Sequence, residues 1–167
     1  MPATVFNNDV HIAGQLTFSS DGGISLPKDS VTDTQVQAAA AIAASKLQSR
    51  LRKSYAQPST QQATAETKVI HVARAAGQVE SFVAGLVSKC QDGATVSFDL
   101  KKNGTSILTG TVTLSDQHAD YETVSGTIDT LSYSAGDVFE VSVTVNAGFG
   151  SLGSGAFAQA VFDENPS

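Results

Sequence analysis

Asp116, His118 and Asp120 alternate along the run Asp116-Gln117-His118-Ala119-Asp120. In an extended segment, residues two apart share a face. Two carboxylates and an imidazole form a donor set that could hold a divalent cation. No further ligand stands nearby, and a polar loop between strands has the same composition, so the loop reading is preferred and no metal or cofactor is expected. His11 likewise lacks a second ligand close in sequence and fits a solvated strand face. Cys90 is the sole cysteine, which rules out an intrachain disulfide. Nothing pairs it with a histidine, so a small residue in or beside a strand is the simpler reading. Gly148, Gly150, Gly153 and Gly155 mark a flexible loop. It lacks the Lys-Ser/Thr ending of a phosphate-binding loop and precedes a strand, not a helix. Asn103-Gly104-Thr105 matches a glycosylation acceptor, but a hairpin turn accounts for it. With no Ser-His-Asp arrangement, HExxH or CxxC, a catalytic role is not expected.

Composition narrows the class. The chain has 167 residues, 41% hydrophobic and 16% charged. That length suits one sizeable domain plus an extension. Its Val, Ala, Thr and Ser content suits strands with small side chains. A net charge of −6 argues against broad nucleic-acid binding, which needs a basic face. The charge is uneven: residues 1–64 carry five Lys/Arg and four Asp/Glu, net +1, whereas residues 65–167 carry five and twelve, net −7. The N-terminal MPATVFNND has no basic segment followed by an apolar run, so no signal peptide is expected. No apolar stretch approaches the roughly 20 residues that span a bilayer. A protein made in the cytoplasm, without membrane insertion, follows.

Three regions are expected. Residues 1–55 form an attachment arm with a short strand pair and one α-helix, residues 56–66 a polar linker, and residues 67–167 a β domain. In the arm, Val10, Ile12, Leu16 and Phe18 share one face of a period-two pattern. Ser20-Asp21-Gly22-Gly23 permits a turn. So short an arm cannot bury enough surface to offset its ordering entropy, roughly 1–2 kcal/mol per residue, and needs another surface to lie on. The helix spans Asp29–Lys53. Thr32 and Gln35 fit a capping box, and Val36, Ala40, Ala43, Leu47 and Leu51 make one apolar stripe. Arg50, Arg52 and Lys53 gather at its end, where cations are favoured. This basic cluster could contact an acidic neighbour, although a solvated cluster is the simpler reading.

The remainder reads as about eight short strands. Val69–Val72 and Val79–Val87 are apolar. Val96, Phe98 and Leu100 alternate with Thr95, Ser97 and Asp99. Asn103-Gly104 is the strongest short hairpin signal. Leu108, Val112 and Leu114 point inward on the return. Tyr121–Leu131 holds one or two weaker strands, Ser134–Asp137 turns, and Phe139, Val141, Val143 and Val145 point inward. Ala156–Phe162 closes the domain. The fold class is therefore mainly β, a jelly-roll-like antiparallel sandwich.

Two segments resemble tailed-bacteriophage virion proteins. Val31-Thr32-Asp33-Thr34-Gln35, followed by Ala40-Ala41-Ile42-Ala43-Ala44-Ser45-Lys46-Leu47, is similar to an ITDAQI…AAIAxSKL segment of phage structural and fibre proteins. TVSFDLKKNGTSILTGTVT (Thr95–Thr113), with Ala135-Gly136-Asp137-Val138, resembles a β-sandwich of phage virions. The size fits a capsid decoration, or cement, protein better than a long fibre. That resemblance implies a homotrimer on the outer capsid surface, bound to the major capsid protein and stabilising the DNA-filled head. It implies an arm and helix (Val10, Ile12, Leu16, Phe18, Val36, Ala40, Ala43, Leu47, Arg50 and Arg52) that clasp the shell. Removing residues 1–65 should then leave a folded domain. The alternative is a tail-fibre or receptor-binding tip that recognises host glycan through Tyr121 or Tyr133, although the chain has no Trp to serve as a platform.

Overall fold

A computed structural model describes residues 49–164. The arm and most of the expected helix, with Val10, Ile12, Leu16, Phe18, Val36, Ala40, Ala43 and Leu47, lie outside the described residues. Within them the chain is all β, in ten strands: β1 (Ser49–Ala56), β2 (Glu66–Val72), β3 (Gly77–Ser88), β4 (Thr95–Lys102), β5 (Thr105–Ser106), β6 (Val112–Leu114), β7 (Thr123–Gly126), β8 (Ser132–Tyr133), β9 (Val138–Asn146) and β10 (Ser154–Glu164).

The strands form two antiparallel sheets. The first has the order β1-β10-β3-β7, with β8 also on β3. The second has the order β2-β9-β4-β5, with β6 also on β4. Their inner faces meet in one core. From the first sheet come Val79, Phe82, Ala84, Leu86, Ala156, Ala158, Ala160 and Phe162; from the second, Val96, Phe98, Leu100, Phe139, Val141 and Val143. The expected alternations hold because a strand sends every second side chain to the same face. Val96, Phe98 and Leu100 are fully buried, Leu108, Val112 and Leu114 are buried, and Val145 packs at the margin. The Asn103-Gly104 hairpin forms with Lys102 opposite Thr105. Both turn residues have positive φ, 51° and 81°, as a tight two-residue hairpin requires. The Asn103 side chain also ties this turn to the next: its Nδ2 donates to Asp137 Oδ1 at 2.7 Å, and its Oδ1 accepts from Val138 N at 2.8 Å.

Residues 49–56 correct the sequence reading. The expected helix end, Arg50 to Lys53, is instead the first half of edge strand β1, paired residue by residue with β10 from Ser49↔Glu164 to Ala56↔Phe157. Leu51 and Tyr55 lie four apart, a spacing that serves one helix face and one strand face equally. Pairing along all of β1 decides for the strand. The expected linker also packs. Gln57 and Ala63 are buried. Gln57 N donates to Ala156 O, and Ala63 N to Gly153 O, each at 2.8 Å. A cut after residue 65 would therefore remove an edge strand and the buried Tyr55; a cut that spares the domain must fall before Ser49.

Candidate functional site

Four loops at one end of the two sheets are bonded side by side. Lys89 N, in the β3–β4 loop, donates to Asp120 Oδ1 of the β6–β7 loop at 2.8 Å. Gln91 N donates to Ser151 O at 2.9 Å, and Ser151 N returns a bond to Gln91 O at 3.2 Å, joining the β3–β4 and β9–β10 loops. Gly155 N, just inside β10, donates to Gln61 O at 3.0 Å, which ties in the β1–β2 loop.

The glycine-rich β9–β10 loop, read as flexible, is closely braced. Gly148 N donates to Asn146 Oδ1 at 3.1 Å, and Gly150 N to Ala147 O at 2.8 Å. A Cβ on Gly150 would lie 1.9 Å from Gln91 O, and one on Gly153 would lie 2.4 Å from Ser88 O. Glycine is needed here so that two backbones can approach. At the tip sits Phe149, with its side chain entirely in solvent. The β6–β7 loop presents a second aromatic. Tyr121 is 70% exposed and holds φ 61°, a conformation that bulky residues rarely adopt. Its N–H is fixed on Leu86 O at 2.9 Å. Sequence pattern flagged the Phe149 loop only as flexible, because besides its own short-range bonds it is braced by the β3–β4 loop, remote in the chain, as in Gln91 to Ser151.

The Asp116-His118-Asp120 group behaves as a loop, not as a ligand set. The segment turns, so its members do not share a strand face. His118 Nδ1 accepts from Ser115 N at 3.1 Å, and Asp120 Oδ1 is occupied by Lys89 N at 2.8 Å. Among the described residues no group of three or more His, Cys, Asp or Glu could hold a metal ion. Cys90 is buried, its Sγ accepting from Gly153 N at 3.3 Å, as suits a packed residue between β3 and β4. Of the two expected glycan platforms, Tyr121 is available, whereas Tyr133 is buried with its ring against Phe139 and Phe162.

The opposite end has a different character. His71 Nε2 and Glu164 Oε1 are 2.7 Å apart and both side chains are buried. Arg74 N also donates to Glu164 Oε1, at 3.3 Å. His71 packs on Phe162 with ring centres 4.7 Å apart, and Phe162 meets Phe139 edge-on at 4.7 Å. Toward the loop end, beside the β1–β2 loop, a second polar cluster ties β1 to β2. Tyr55 Oη donates to Glu66 Oε1 at 2.6 Å, and Gln57 Nε2 donates to Tyr55 Oη at 2.8 Å. Burial first, and the Glu66 carboxylate second, push the Tyr55 phenol well above its ordinary value, while the Tyr55 and Gln57 hydrogen bonds hold Glu66 below the usual carboxylate range. Burial and the Glu164 and Asp163 charges push Tyr133 up in the same way.

Arg50 and Arg52, expected on a shell-facing helix, project together from β1, and both are exposed. Arg50 Nε bonds Glu80 across the sheet. Lys53, half-buried, is turned to the other face of the strand with Leu51 and Tyr55, so the strand displays Arg50 and Arg52 without it. No protein-family model matches the chain, and no curated protein matches it.

Proposed function

We propose that the chain is a decoration (cement) protein of a tailed-phage head, binding the outer surface of the major capsid protein shell as a homotrimer. Its role is mechanical: extra interface between capsomers opposes the pressure of packaged DNA. It is not an enzyme and makes no direct contact with nucleic acid or membrane. The reading rests first on the two sequence segments similar to phage virion proteins. The structural observation that carries it furthest is the strand order. The order β1-β10-β3-β7 facing β2-β9-β4-β5/β6 is the one two interleaved Greek keys produce, so the jelly-roll reading of the two sheets is the one we adopt, an architecture frequent in capsid and lectin domains.

The receptor-tip reading keeps one supporting observation, the exposed Tyr121, and loses the buried Tyr133. Copy number separates the two. Quantitative mass spectrometry of whole particles should find the chain at a stoichiometry comparable with the major capsid protein. A few copies per particle would remove the decoration reading and favour the tip.

A further inference from the structure

We infer that the homotrimer proposed above closes by contact between the braced loop end of one copy and the β1 edge of the next. A threefold ring joins two different patches of the same chain, since its interface is heterologous. Two complementary patches stand on the described residues. At the loop end, Asp92, Asp116, Asp120 and Glu122 outnumber the single cation Lys89, and the rings of Phe149 and Tyr121 stand in solvent beside them. On β1, Arg52 and Arg50, the latter with its Nε on Glu80, extend outward from a strand that among the described residues pairs with β10 and with no other strand.

The chemistry of the two patches matches. A guanidinium pairs with carboxylates and also lies flat on aromatic faces. A loop end that offers both, and an edge that offers two arginines, are suited to each other. The backbone explains why the aromatics are displayed and not folded in. Phe149 stands between glycines fixed by Asn146, Ala147 and Gln91, and Tyr121 is held at positive φ by Leu86. A preorganised contact loses little side-chain and loop freedom on binding. Membrane docking fits the same end less well, because four carboxylates repel anionic headgroups.

The contact rests on the homotrimer reading, and charge exchange tests the two separately. Full-length protein is examined by analytical ultracentrifugation over a range of concentration and salt. Wild type should form trimers that weaken as salt rises. Phe149→Ala should raise the dissociation constant at least tenfold. Its ring is fully exposed among the described residues, so thermal stability should not change. Arg50→Glu/Arg52→Glu should dissociate the trimer, and so should Asp116→Lys/Glu122→Lys; combining the two pairs should restore it. Trimers indifferent to all these changes would overturn this contact and leave the homotrimer standing. A chain that stays monomeric throughout would overturn both.

Discussion

The two ends of the domain use aromatic side chains in opposite ways. Near the start of β1 and the end of β10, Phe139, Phe162, Tyr133 and His71 stack on one another, and all are buried. At the loop end, Tyr121 and Phe149 are pushed into water by braced backbone. Burying a ring stabilises a fold by roughly 1.5–3 kcal/mol. Displaying one forgoes that gain, which the proposed contact between copies would recover. The carboxylates differ in burial as well: Glu164 is buried against His71, whereas at the loop end Asp92, Asp120 and Glu122 are exposed, Asp120 and Glu122 accepting only from backbone N–H groups in neighbouring loop residues.

The largest effect is expected at the buried end. Phe162→Ala or Phe139→Ala should cost about 3–5 kcal/mol, read as a lower urea midpoint, because each removes a fully buried ring and leaves a cavity. If either costs less than the Phe149 change, the division between the ends fails. Next comes the polar pair. Glu164→Leu leaves His71 Nε2 and Arg74 N without their acceptor and should cost about 1–3 kcal/mol, the penalty for an unsatisfied buried group. Glu164→Gln, which keeps an acceptor, should cost less, and equal losses would show that the hydrogen bonds are not what holds this end.

A pH series gives a smaller effect with a definite sign. Tyr55 and Tyr133 are raised in the folded state. Above the ordinary tyrosine value of about 10, the unfolded chain loses phenolic protons that the folded chain retains. Stability is therefore full below that value and falls as pH rises through it. Tyr55→Phe should flatten this alkaline decline. Glu66 has the opposite sense: its stabilisation is present above the ordinary carboxylate range and is lost as pH falls through its lowered folded value. Glu66→Gln should flatten the acid limb, and unchanged limbs in both variants would contradict the Tyr55–Glu66 contact. The smallest effect belongs to Phe149→Ala, within about 0.5 kcal/mol of wild type in stability, as for surface changes that touch nothing.

Much of the buried scaffold was legible in the sequence, because period-two alternation and turn chemistry are local. Val96, Phe98 and Leu100, the Asn103-Gly104 hairpin and Phe139 to Val143 all sit where pattern places them. Strand β1 was not legible. Arg50 to Lys53 continued the Leu47–Leu51 spacing, and residues of good helix propensity gave no sign of a partner more than 100 residues away on β10. The pairing of His71 with Glu164, 93 residues apart, has no local signature either. Nor could pattern tell that the glycines around Phe149 brace the loop. Gly150 is required by a carbonyl from the β3–β4 loop, and only the fold brings that carbonyl near.

The most direct test of the account is an electron cryo-microscopy map of the intact particle. A decoration protein predicts density for the two-sheet domain in clusters of three across the outer surface of the head, with the loop end of each copy against the β1 edge of its neighbour. Density confined to the tail, or single separated domains on the head, would contradict it.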